Sequence, residues 1–168
     1  MIKIAIVGTG GIAEWHASAF KNHKDSEVIA ACDVNDDRLN EFCNKFQIEN
    51  RYNSVDVLLE NNEIDAVTNT TPDAFHKEIS IKAIKKNKHI FCEKPLAENF
   101  EDAKLMCKAL EGKNLINMVN FSYRNSSGYQ ELCKIVKSGK IIGLANKECI
   151  ISLGPRLLTL AKKNKTKI

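Results

Sequence analysis

A short β-branched run, Ile2 to Val7, stops at Gly8-Thr9-Gly10-Gly11, and an amphipathic pattern begins directly behind it. A six-residue apolar run reads as a buried strand. Ile12, Trp15, His16, Ala19 and Phe20 predict one face of a helix from Gly11 to about Asn22. The junction has the form Gly8-x-Gly10-x-x-Ala13. In a strand–turn–helix setting Gly8 permits the tight turn, Gly10 lets a backbone come close to a pyrophosphate, and Ala13 keeps helix against strand. The N–H groups at the helix start then offer an anion site. Thr9, Gly11 and Ile12 complete the loop and join Gly8, Gly10 and Ala13 as candidate cofactor-binding residues.

The same alternation continues along the chain. Strands are predicted at 27–32, 65–69, 89–92 and 115–121. Between them lie a helix capped by Asn35 through Leu39, Phe42, Cys43 and Phe46, and a short one capped by Ser54. A Lys-rich helix follows with Ile79, Ala83 and Ile84 inward and Glu78/Lys82 paired outward, then another capped near Asn99. The lysines of residues 82–88 read as a solvated face. Strands and helices alternating at this spacing predict right-handed βαβ units, hence an α/β Rossmann fold with a doubly wound parallel sheet. Three regions are expected: a dinucleotide-binding domain over 1–124, a helical connection over 125–143, and an irregular basic tail over 144–168.

Charge and cysteine usage narrow the function classes. The 168 residues carry a net +4, but the last thirteen hold five basic side chains and no acid, so residues 1–155 have 20 basic groups against 21 acidic ones. A near-neutral body argues against a nucleic-acid partner. No apolar run reaches the ~18 residues of a membrane span, and the early glycines break any signal-peptide core, so the cytoplasm is the expected compartment. Cys32, Cys43, Cys92, Cys107, Cys133 and Cys149 show no Cys-x-x-Cys pair and no histidine at metal spacing. They are expected to be reduced core thiols, and no metal site is expected.

Further candidates fall at predicted strand ends, the edge where open α/β sheets bind ligands. Asp33 follows the second strand 25 residues after Gly8. There a carboxylate accepts ribose hydroxyls and repels a 2′-phosphate, which favours NAD over NADP; Arg38 nearby leaves that choice open. Thr71-Pro72-x-x-x-His76 and Glu93-Lys94-Pro95 follow the next two strands. His16 reads as a satisfied helix histidine rather than a cofactor contact.

Taken with Asn120-Phe121-Ser122-Tyr123-Arg124 and Ser138-Gly139-Lys140-Ile141, these motifs give a sequence that resembles the Gfo/Idh/MocA oxidoreductases over about residues 1–143. The resemblance implies NAD(P)-dependent oxidation or reduction of a sugar, cyclitol or similar polyol. It implies that Thr71, Pro72 and His76 line the cofactor, that Glu93 holds the nicotinamide ribose, and that Lys94 is the catalytic residue, stabilising developing alkoxide charge and shuttling its proton. Tyr123 and Arg124 either border the substrate or belong to a surface loop.

The chain also departs from that family. Its members continue into a second, mostly antiparallel domain with an Asp-x-x-x-His pair, and no such pair follows Arg124 here. A truncated or frame-shifted reading would explain the basic tail, since Lys and Asn, with A-rich codons, make up 38 of the 168 residues. The expectation is a chain that binds cofactor but is inactive alone. The alternatives are a non-catalytic NAD(H)-binding module and an inactive fragment. The oligomeric state stays open, because family dimers form through the second domain.

Overall fold

The computed structural model describes residues 1–122, 126–140 and 157–166. The chain divides into two compact units, Met1–Asn120 and Phe121–Ile168. In the first, six parallel strands run β1 (Ile2–Val7), β2 (Ser26–Cys32), β3 (Asn50–Tyr52), β4 (Ala66–Asn69), β5 (His89–Cys92) and β6 (Asn117–Val119), in the order β3-β2-β1-β4-β5-β6. Helices α1 (Gly11–Lys21), α2 (Asp36–Phe46), α3 (Val55–Leu59), α4 (His76–Lys85) and α5 (Phe100–Ala109) connect them, with a 3-10 turn at Asp73–Phe75 before α4. This is the doubly wound Rossmann arrangement the strand–helix alternation predicts.

Strand β1 shows why both sides of the sheet are needed. Its side chains alternate between faces. Ile6 joins a cluster with Ala13 and Ala17 of α1 and with Leu39, Phe42, Cys43 and Phe46 of α2. Ala5 and Val7 join the opposite cluster with Leu58, Leu59, Ile79, Ala83 and Ile84. Ile4 through Val7 are therefore all buried, as expected for a central parallel strand covered on both faces. Two predicted caps are in place. The Asn35 side chain accepts from Arg38 N–H at 2.9 Å, and the Asn99 side chain accepts from Asp102 N–H at 2.9 Å. Ser54 stands at the start of α3 without a side-chain cap bond.

Several expectations need correction. The buried face of α1 is Ala13, His16 and Ala17, with Phe20 partly covered, so the predicted face is one residue out of phase. Ile12 is 45% exposed and Trp15 77% exposed. Small alanines, rather than the bulky Ile12 and Trp15, face the sheet because the helix crosses it closely. Lys88 is not on a solvated face: it is buried, and its ammonium donates to the carbonyls of Ile64 at 2.6 Å and Asn61 at 3.1 Å. Among the cysteines, Cys32, Cys43 and Cys92 are buried core thiols, whereas Cys107 is exposed and Cys133 half-buried. Cys149 lies outside the described residues, as do Tyr123, Arg124 and residues 141–156. The edge strand β3 carries no distinct apolar pattern and is delimited only by its pairing with β2.

In the second unit, α6 (Ser127–Lys137) starts at Ser126, whose hydroxyl accepts from Tyr129 N–H. Within the stretch expected to be irregular, residues 157–163 are helical. Leu157 and Ala161, four apart and hence on one face, pack with Val136, and the Thr166 hydroxyl donates to the Val136 carbonyl at 2.8 Å. Seven residues are too few to display a helical period. Among the described residues no helix is long and apolar enough to cross a membrane.

The phase of α1 is open to a direct test by urea denaturation. Trp15→Ala should leave stability within about 0.5 kcal/mol, as for an exposed position. Ala17→Leu, which forces methylenes into a filled helix–sheet contact, should cost about 1–3 kcal/mol.

Candidate functional site

The order of a parallel sheet brings the loops after β1, β2, β4, β5 and β6 to one edge, and every candidate from Gly8 to Asn120 lies on one of them or at the start of the helix that follows. The Gly8 φ is +89°. A Cβ built there would stand 2.8 Å from Thr71 N and 2.9 Å from Thr70 C. Glycine is thus required twice, for the turn and for the close pass of the β4 loop. The Thr70 hydroxyl ties the two loops further, lying 2.7 Å from the Gly8 carbonyl and 3.0 Å from that of Val7. At Gly10 and Gly11 an added Cβ would meet no protein atom within 4 Å, so this part of the loop is an open cradle in front of the α1 N-terminus.

Asp33 sits at the end of β2, buried, with both carboxylate oxygens engaged. Oδ2 accepts from Thr9 N–H at 2.8 Å and the Thr9 hydroxyl at 2.9 Å; Oδ1 accepts from Asn35 N–H at 2.9 Å. The Arg38 guanidinium adds a forked pair, Nε to Oδ2 at 3.0 Å and Nη2 to Oδ1 at 2.7 Å. Burial pushes the Asp33 carboxyl up, but the bonds from Arg38, Asn35 and Thr9 outweigh it and bring it down to about 2. Arg38 is half exposed, so it is the partner most easily withdrawn.

After β4, the buried Asn69 side chain accepts from the Thr71 hydroxyl at 2.6 Å and donates to Ser80 Oγ at 3.3 Å, shaping the Thr70-Thr71-Pro72 turn. His76, at the start of α4, is 1% exposed. Its Nδ1 lies 2.7 Å from the Pro95 carbonyl and its Nε2 2.8 Å from the Thr71 carbonyl, so the ring staples the β4 loop to the β5 loop. Both partners are carbonyl oxygens, which only accept. Pro72 is exposed, and so is Lys94, which follows β5 and is joined to Pro95 by a cis peptide bond.

Glu93 is buried beside Lys94. Its Oε1 receives His16 Nε2 at 2.7 Å and Asn120 Nδ2 at 2.6 Å, and its Oε2 accepts Lys94 N–H at 3.0 Å. Burial raises the Glu93 carboxyl, but the bonds from Asn120, His16 and the Lys94 amide prevail and hold it below its ordinary value. His16 Nδ1 meets the Thr68 hydroxyl at 3.1 Å. The sequence thus picks out Glu93 and Lys94, and His16, read as a satisfied histidine, has partners at both ring nitrogens; Thr68 and Asn69 are missed. Their signal is visible afterwards: two polar residues closing a strand that is otherwise apolar. Among the described residues no group of three His, Cys, Asp or Glu side chains is placed to hold a metal ion.

A glycine cradle at a helix N-terminus, an acid ending β2 and further polar loops on the same edge define a dinucleotide-binding Rossmann domain. The chain belongs to the Gfo/Idh/MocA oxidoreductase family, whose NAD-binding Rossmann-fold model matches residues 2–121. It is 32% identical over 140 residues to myo-inositol 2-dehydrogenase of Thermotoga maritima, covering 83% of this chain and 42% of that protein. To glucose-6-phosphate 3-dehydrogenase of Bacillus subtilis it is 33% identical, covering 82% of this chain and 37% of that one. Scyllo-inositol dehydrogenase of Lactobacillus casei, solved with bound NAD(H) and scyllo-inositol, superposes with a TM-score of 0.79 at 26% identity, over 83% of this chain and 42% of that chain. The chain therefore spans well under half the length of these relatives.

Two measurements probe the site's architecture. Gly8→Ala should lower the thermal midpoint sharply, because a Cβ at 2.8 Å from backbone forces the two loops apart. Asp33 should also leave a mark on acid unfolding. With its carboxyl at about 2 in the fold against 3.8 ordinarily, its contribution is complete above pH 4 and is lost as pH falls toward 2. After discounting for the solvent-screened Arg38, the loss should be about 1–2 kcal/mol, and it should be absent from Asp33→Asn.

Proposed function

We propose that these residues are the cofactor half of an NAD(H)-dependent oxidoreductase acting on a sugar, cyclitol or related polyol in the cytoplasm. The observation that carries this reading is the pairing of the open Gly10–Gly11 cradle, at the α1 N-terminus, with a buried, ionised Asp33 at the end of β2. The residues present fit the dinucleotide. The cradle leaves room for a pyrophosphate against the backbone, and the helix start favours its charge. In this reading Asp33 accepts the adenosine ribose hydroxyls in place of the Arg38 guanidinium, which withdraws toward solvent. A carboxylate there favours NAD over NADP.

The nicotinamide, when bound, supplies the hydride acceptor or donor. Thr71, Pro72 and His76 shape the wall beside it, and Glu93 takes its ribose. Lys94 holds the proton of the reacting hydroxyl at Nζ and steadies the alkoxide charge as it develops. Tyr123 and Arg124, which lie outside the described residues, are assigned to the substrate side. Lys94 is exposed in these residues, so they are expected to bind cofactor without efficient turnover. An ammonium in open water gains little electrostatic leverage. The name of the Lactobacillus relative makes inositols the first substrates to try.

Calorimetric titration should show NADH binding to the unmodified chain and none to Gly10→Val. NADH should bind more tightly than NADPH, and Asp33→Ser should narrow that gap by about 1–3 kcal/mol, the scale of hydrogen bonds to a charged group. Equal affinity for the two cofactors would overturn the preference for NAD. Steady NADH formation from inositols or hexoses, abolished by Lys94→Ala, would overturn the claim of no turnover.

A further inference from the structure

Glu93 stands next to the candidate catalytic lysine, yet two of the groups that hold it come from distant parts of the chain. His16 belongs to α1, 77 residues earlier, and Asn120 follows β6, 27 residues later. The two converge on one oxygen, Oε1. Oε1 thus carries two donors, whereas Oε2 accepts only the Lys94 N–H among these contacts and has room for a further donor. The side chain is therefore pinned at one oxygen and free to accept at the other.

His16 is built for this task. Ala13 and Ala17 on either side of it let α1 lie close enough for the imidazole to span to β4 and β5. The ring packs against Phe91 at 5.2 Å and Phe20 at 6.1 Å between centroids, which fixes its rotation. An ionised carboxylate 2.7 Å from Nε2 requires the proton to be on Nε2, since a bare lone pair there would face a negative oxygen. Nδ1 lies 3.1 Å from the Thr68 hydroxyl, buried in β4, which can donate to it or accept from it and so anchors the other side of the ring.

We propose that His16 is a positioning residue for the nicotinamide half of the site: through Nε2–H it holds Glu93 so that Oε2 meets the cofactor's nicotinamide-side ribose, with Thr68 anchoring the other ring nitrogen. This rests on the cofactor reading given above. In an apolar pocket the pairing with a locked donor is strong, and without it the Glu93 carboxylate turns toward water or takes up a proton. The adenosine half, held around Asp33, makes no contact with this network and should not sense its loss.

The experiment titrates NADH and ADP into the unmodified chain and into His16→Ala, His16→Gln and Thr68→Val. Loss of one hydrogen bond to a charged group predicts that NADH binds about tenfold more weakly to His16→Ala while ADP affinity stays within about twofold. His16→Gln, whose amide N–H reaches the place of Nε2, should restore most of the NADH affinity. Thr68→Val, nearly isosteric, should weaken NADH alone by about threefold. Nitrogen-15 shifts of His16 should show a protonated Nε2. Unchanged NADH affinity in His16→Ala, equal losses for NADH and ADP across the His16 and Thr68 variants, or a bare Nε2 would overturn the proposal. Failure of the unmodified chain to bind either ligand would instead overturn the cofactor reading, and this proposal with it.

Discussion

The β1 and β4 ends of this sheet meet at a distance that only a residue without a side chain allows, and the candidate site is arranged around that meeting. Gly8 turns with a positive φ directly against the Thr70–Thr71 backbone, and the Thr70 hydroxyl locks the two loops together. Because β1 is buried on both faces, neither loop can move aside without disturbing the core. The cradle at Gly10 and Gly11, the start of α1 and the turn leading to His76 all inherit their positions from this contact. A glycine is therefore needed at Gly8 for protein packing, whereas Gly10 and Gly11 face open space.

Two carboxylates organise opposite ends of the same edge, and they are held in different ways. Asp33 is surrounded by donors from its own neighbourhood and from the glycine loop, with the Arg38 side chain half exposed. Glu93 is held by groups gathered from α1 and from the end of β6. In both cases hydrogen bonds overcome the penalty of burial and keep the group ionised. The first includes a half-exposed guanidinium, whereas the second draws on elements far apart in the chain.

This chain spans well under half the length of the relatives it matches, and its Lys94 is exposed. A parallel sheet with helices on both faces closes its own core. Electrostatic catalysis depends on exclusion of water, so an exposed ammonium has little leverage.

Local signals in the sequence were enough for the strand–turn–helix junction at Gly8, the caps at Asn35 and Asn99, and the positions of Asp33, Glu93 and Lys94, because each rests on residues close in the chain whose backbone demands or side-chain types are distinctive. The phase of α1 differs by one residue from its apolar pattern, since hydrophobicity favours Ile12 and Trp15 while close helix–sheet crossing selects Ala13 and Ala17. The burial of Lys88 rests on two carbonyls from a loop more than twenty residues away, which no local pattern encodes. The short helix at 157–163 fell below the length at which a period shows. Above all, the joining of His16, Thr68, Glu93 and Asn120 needed the strand order itself: only when β1, β4, β5 and β6 lie side by side do four polar residues spread over more than a hundred positions share one buried network.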